Sequence, residues 1–227
     1  MRNHFVRGRR HSRRHQRNRL VAERLESRQL LAGNGLGIDP IFDVTVTSDI
    51  VYRDDAEVGF GTPGGVTTTE LELDLYNPVG EGLPGKLPAA ILVHGGGFTG
   101  GDKAQGNFKD LADQFASRGY VTVSINYRLL RDNVPPAPIP PADDEPLYDT
   151  VIAAIEDTFH SIEWLKSSAE SLNIDPDRIV LAGHSAGGYL SLFGGMFDPV
   201  DVEGFGFDID ISDLDVAGVM DGCLLYT

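Results

Sequence analysis

From about residue 40 onward, apolar and polar positions fall into two rhythms. Thr69 to Tyr76 alternates, with Leu71, Leu73 and Leu75 on one side and Glu70, Glu72 and Asp74 on the other. A period of two predicts a strand with one face in water. Val44–Thr47 and Ile50–Tyr52 predict an earlier strand region, and Gly59–Gly65, with four glycines and one proline, predicts the turn between them. Four short continuous apolar runs follow, at 89–93, 120–126, 179–182 and 216–220. Runs of this kind fit central parallel strands covered on both faces. Helical spacing separates them. Asn107–Arg118 sets Phe108, Leu111, Ala112 and Phe115 three and four apart, and Tyr148–Ser171 does the same with Val151, Ile155, Phe159, Ile162 and Leu165. Tyr189–Phe197 is a third helical stretch. Buried strands alternating with helices predict an α/β fold, a mostly parallel sheet with helices on both faces. Val134–Pro146, with six prolines, is expected to be extended or turn-rich, and Asp198–Asp215 to be an acidic loop.

Charge divides the chain. Across 227 residues the formal charge is −15, yet residues 1–32 carry ten arginines against two glutamates. That head is +8 and leaves −23 on residues 33–227. Arg2–Arg19 holds almost nothing apolar and cannot fold alone. The expected organisation is a basic, export-like or disordered segment over 1–38 and one domain over 39–227. Leu25-Glu26-Ser27-Arg28-Gln29-Leu30-Leu31-Ala32 resembles an N-terminal element of large exported bacterial proteins, which implies an exported or extracellular location. A disordered basic tail is the alternative. The arginines would attract nucleic acid electrostatically, but no aromatic interleaving accompanies them and the acidic body would repel it, so no nucleic-acid partner is expected. No run of eighteen apolar residues occurs, so no membrane-spanning helix is expected. A lone cysteine, Cys223, excludes an intrachain disulfide framework and a Cys-rich zinc module.

Gly183-His184-Ser185-Ala186-Gly187 matches G-x-S-x-G between an apolar run and a helical stretch. Strand, turn and helix in that order suit a serine on a tight turn. Small residues two positions either side make room, and the hydroxyl is lifted out of the sheet toward helix N–H groups. His94-Gly95-Gly96-Gly97-Phe98 begins where the run 89–93 ends. It reads either as a plain glycine-rich turn or as a loop whose N–H groups stabilise a developing oxyanion. Asp208, Asp210, Ser212 and Asp213 resemble the start of a calcium loop. Position six is Asp213 rather than Gly and position twelve is Val219 rather than Glu, so an acidic surface loop is the expectation and no metal is assigned.

Together, His94–Gly97 and Gly183–Gly188 resemble the α/β-hydrolase fold, in its lipase and carboxylesterase branch with an HGGG oxyanion motif. Asn126-Tyr127-Arg128, Trp164-Leu165 and Ile174–Ile179 add to the likeness, which covers roughly residues 40–227. The resemblance implies that Ser185 is the nucleophile and that the N–H groups of Gly96, Gly97 and Ala186 form the oxyanion hole. It further implies that His94 organises the loop, that no cofactor is needed, and that the substrate is a small-molecule or polysaccharide-linked ester. It also implies a triad in the order Ser, acid, His. No histidine follows Ser185. His160 is expected to be structural, and His184 to diverge from Ser185 across the turn. Asp221 is the acid candidate, with a solvated turn residue as its other reading. The sequence therefore reads as a hydrolase domain incomplete at its C-terminus, inactive as given for want of the histidine. A serine peptidase of the same fold and a non-catalytic fragment or binding module are the alternatives.

Overall fold

In the computed structural model, residues 41–59, 65–133 and 145–222 are described. The basic head, the tip of the first turn, most of the proline-rich loop and Cys223 lie outside the described residues. All described residues belong to one compact unit, 38–227. Six strands form one sheet: β1 (Asp43–Val58), β2 (Thr67–Val79), β3 (Leu87–Val93), β4 (Val121–Ile125), β5 (Ile174–Gly183) and β6 (Gly218–Asp221). Their spatial order is β1-β2-β4-β3-β5-β6. β1, β2 and β4 pair antiparallel, while β4, β3, β5 and β6 are parallel neighbours. The helices are α1 (Asn107–Ala116), α2 (Leu130–Asn133), α3 (Glu145–Ser167) and α4 (Ala186–Met196).

The apolar runs became the parallel strands, and every residue of β4 is buried, but the fourth run, β6, stands at the sheet edge among the described residues and is only half-buried, with Met220 exposed, rather than covered on both faces. Alternation within each strand divides the core between two faces. Ile91, Val93, Val123, Ile125 and Leu181 join Ile155, Phe159, Ile162 and Leu165 of α3 and Leu190 of α4. Leu92 and Ala182 face the opposite way, onto Ala112 and Ala116 of α1. Helices thus cover both faces of the sheet.

Several boundaries differ from expectation. Glu145 and Pro146 belong to α3, not to the proline-rich loop. A proline in the first helical turn loses no hydrogen bond, since its missing N–H would have had no partner there. Asp175-Pro176-Asp177-Arg178 carries no strand periodicity, yet β5 begins at Ile174 because Leu87 pairs with Ile174 before an irregularity. The polar side of β2 is not uniformly in water. Glu70 is exposed, but Asp74 is buried against Lys103. Local pattern could not foresee that a lysine 29 positions onward would cover this face. The acidic loop is a loop, and its carboxylates diverge. Asp208 turns to Arg53 and His160, while Asp210 accepts the Ser212 N–H.

Candidate active site

β5 ends at Gly183 and α4 begins at Ala186, so two residues make the whole connection. Ser185 sits at φ 55° and ψ −121°, a backbone region that L side chains rarely adopt. The turn is close-packed from below. A Cβ on Gly187 would lie 1.9 Å from the Val93 carbonyl oxygen, so α4 starts directly against β3. Such strain and crowding persist only where the surrounding structure holds them. Here β5, β3 and α4 all bear on the turn, and the result is an exposed serine at the sheet's carboxyl edge.

The glycine loop leaves β3 beside it. A Cβ on Gly95 would come within 2.8 Å of the His184 carbonyl oxygen and 3.3 Å of Ser185 Cβ. Gly96 (φ 130°) and Gly97 (φ 61°) adopt conformations that favour glycine. Both are exposed, and with Ser185 and His184 they border one cleft of about 960 Å³. Phe108 and Leu111 of α1 line the same cleft. Four predicted site residues therefore meet in one place. Gly96, Gly97 and Ser185 line the cleft, and Ala186 opens the helix behind the serine.

His94 is fully buried, as a loop organiser should be. Its Nδ1 lies 2.7 Å from the Gly95 carbonyl, its ring stacks on Tyr127 at 4.3 Å, and the Tyr127 hydroxyl donates to its carbonyl oxygen. Burial pushes the imidazole pKa below its ordinary value of 6.5. Its Nε2 has no hydrogen-bond partner among the described residues. Asp221 sits opposite Gly183 at the end of β6, and its carboxylate packs on Gly188, where a Cβ would meet Oδ1 at 2.3 Å. It thus borders the first turn of α4 rather than lining the cleft. His160 is elsewhere, with Nε2 2.8 Å from Asp208 Oδ1. Glu156, His160 and Asp208 lie close enough to share an ion. Both carboxylates are already engaged by guanidiniums, Glu156 by Arg53 and Arg128, Asp208 by Arg53.

Two features escaped the sequence reading. Arg128 and Arg53 converge on Asp157 in the core, a pairing visible only once β1, β4 and α3 are packed. Phe98, at φ 62°, holds Leu130 through its carbonyl and meets Tyr127 and Tyr189 edge-on. No spacing signal announces either.

Comparison with known proteins agrees with this geometry. The BD-FAE family model matches residues 73–143 and 148–222, which include both the glycine loop and the serine turn. The chain belongs to the BD-FAE family of α/β hydrolases. Relatives of this BD-FAE chain include a carboxylesterase, NlhH, of Mycobacterium tuberculosis, 32% identical over 105 residues, or 46% of this chain and 28% of that protein. A chlorogenic acid esterase of Aspergillus niger is 30% identical over 148 residues, 63% of this chain and 27% of that protein. Among solved structures, the esterase Est2 of the planctomycete Thermogutta terrifontis superposes with a TM-score of 0.53 at 26% identity, covering 80% of this chain and 52% of that one. The chain thus spans about half the length of that solved structure and about a quarter of these two curated relatives. No described helix is long and apolar enough to cross a membrane.

Proposed function

We propose that this chain carries the nucleophile and oxyanion loop of a serine carboxylic ester hydrolase. Ser185 Oγ attacks the acyl carbon, the alcohol leaves, and water then hydrolyses the acyl-enzyme. The N–H groups of Gly96, Gly97 and Ala186 receive the carbonyl oxygen as its charge grows. The observation that carries this reading is the strained Ser185 backbone in a cleft that Gly95, Gly96 and Gly97 also line. Solved forms of Est2 hold propionate and butyrate, which supports short acyl groups. The Aspergillus niger relative's name supports aromatic acyl esters as the alternative. Hydrolysis of p-nitrophenyl butyrate and of chlorogenic acid, each with Ser185→Ala as control, tests the proposal. Turnover that survives Ser185→Ala overturns it.

Stoichiometric phosphorylation of Ser185 by paraoxon, a reagent recorded on Est2, reads the reactivity of the serine separately from turnover. Export directed by the basic head is part of the same proposal. Secretion of a reporter fused to residues 1–40 checks it.

A further inference from the structure

The oxyanion loop is rich in glycine. Between His94 and Asp102 stand Gly95, Gly96, Gly97, Gly100 and Gly101, with only Phe98 and Thr99 bearing side chains. Such a segment loses much entropy on ordering, yet oxyanion donors act through being held in place beforehand. Its entrance is secured by His94 and Tyr127. Its exit is secured by a different device, centred on Lys103.

Lys103 is held through its backbone and its side chain at once. Its backbone N–H donates to Asn126 Oδ1 at 2.7 Å, and its carbonyl accepts from Ser124 Oγ at 2.7 Å. Its ammonium, buried beside β2, donates to Asp74 Oδ1 at 2.8 Å and to Asp49 Oδ1 at 2.6 Å. Asp49 reaches that point only because β1 is irregular there. The register with β2 shifts between Thr47 and Ile50, and Asp49 stands at φ 60°, a strained value for a residue other than glycine. The Asp49 N–H, displaced from the ladder, donates to the other end of the same clamp, Asp74 Oδ1, at 3.1 Å. Bulges in sheets often re-aim a side chain toward a functional site. Here the bulge and a buried carboxylate converge on the buried Lys103, which stands at the end of the glycine loop.

We infer that Lys103, clamped by Asp74 and the bulged Asp49, is a positioning residue that holds the Gly95–Gly101 loop in its oxyanion-binding shape. The hairpin of β1 and β2 thereby becomes part of the reaction machinery, although none of its described residues lines the cleft. This rests on reading Gly96 and Gly97 as oxyanion donors.

The test is amide exchange followed by NMR on the full chain. The Thr99 and Gly100 N–H groups, bonded to the Gly96 carbonyl, and the Leu130 N–H, bonded to the Phe98 carbonyl, report the loop. Leu92 and Leu181, in central strands, report the rest of the fold. Lys103→Met should speed exchange at the three loop amides at least tenfold while Leu92 and Leu181 stay within twofold, and Lys103→Arg should restore most of the protection. Asp49→Asn, which leaves the buried Lys103–Asp74 pair intact, should give about a threefold effect and carries the test should Lys103→Met not fold. Unchanged loop exchange, or equal acceleration everywhere, overturns the inference. With p-nitrophenyl butyrate, kcat should fall at least tenfold in Lys103→Met with KM within threefold. A rise in KM at constant kcat counts against it. A chain with no Ser185-dependent turnover would sink the ester-hydrolase reading, and the exchange pattern alone would then decide the role of Lys103.

Discussion

Asp157 offers the sharpest test of what holds the site in place. It lies in the middle of α3, fully buried, and four donors converge on it. Arg53 Nη1 reaches Oδ1 at 2.9 Å, Arg128 Nη2 lies 2.9 Å from the same oxygen, and Arg128 Nε spans both oxygens at 3.1 and 3.0 Å. The Arg128 backbone N–H donates to Oδ2 at 2.8 Å. Asp157→Ala removes the acceptor and leaves two guanidiniums around Glu156, with a buried N–H unpaired. Breaking a buried ion pair from one side costs roughly 3–5 kcal/mol, and the orphaned amide adds about 1 kcal/mol or more. Because the terms overlap, about 4 kcal/mol is expected, or a fall in Tm of roughly 8–16 °C for a domain of this size. Denaturant titration followed by circular dichroism measures the loss. Removing the charge on both sides should hurt less than the sum of single changes. Arg128→Met combined with Asp157→Ala is therefore expected to recover about 2 kcal/mol relative to additivity. A cost below about 1.5 kcal/mol for Asp157→Ala, or strict additivity in the pair, would refute the view that this cluster is one cooperative unit. The consequence reaches the cleft, because Arg128 follows Tyr127 directly and the Tyr127 hydroxyl grips the His94 carbonyl.

Other outcomes follow from the same geometry. Ser185→Gly should raise stability by about 1 kcal/mol, since glycine tolerates the positive φ that serine endures there, while any Ser185-dependent reaction is lost; a melt and an ester assay read both. Gly187→Ala should cost more than 3 kcal/mol or prevent folding, as its methyl would sit 1.9 Å from a β3 carbonyl oxygen that cannot yield. His94 is buried with its pKa held below 6.5, so the unfolded chain takes up a proton that the folded one refuses. Its contribution is complete above that value and fades as pH falls below it. Denaturation midpoints should drop as pH falls through 6.5, and His94→Gln should flatten that part of the profile.

What the sequence by itself determined was the architecture and the chemistry of its two turns. Continuous apolar runs marked the parallel strands, most of them covered on both faces, because exposing Ala89–Val93 or Val121–Ile125 to water would be too costly. Glycines at 95–97 and 183–187 declared where the backbone had to bend sharply or approach another closely. These are local signals, carried by residues adjacent in the chain, and they located Ser185 together with the loop it faces. Tertiary structure decided the rest, for a physical reason that runs through every miss. The Asp74 carboxylate reads as a solvent-facing strand position until Lys103 arrives from another element. Asp49 falls between the two predicted strand segments, and only the bulge in β1 brings its exposed carboxylate onto the Lys103 ammonium. Asp157 and Glu156 read as polar positions on a helix until Arg53 and Arg128 come in from β1 and from the end of β4. For Asp74, Glu156 and Asp157 a charge is buried because its partner lies 28 to 104 positions away. The free energy that pays for that burial exists only after the chain has folded, and no periodicity along the sequence records it.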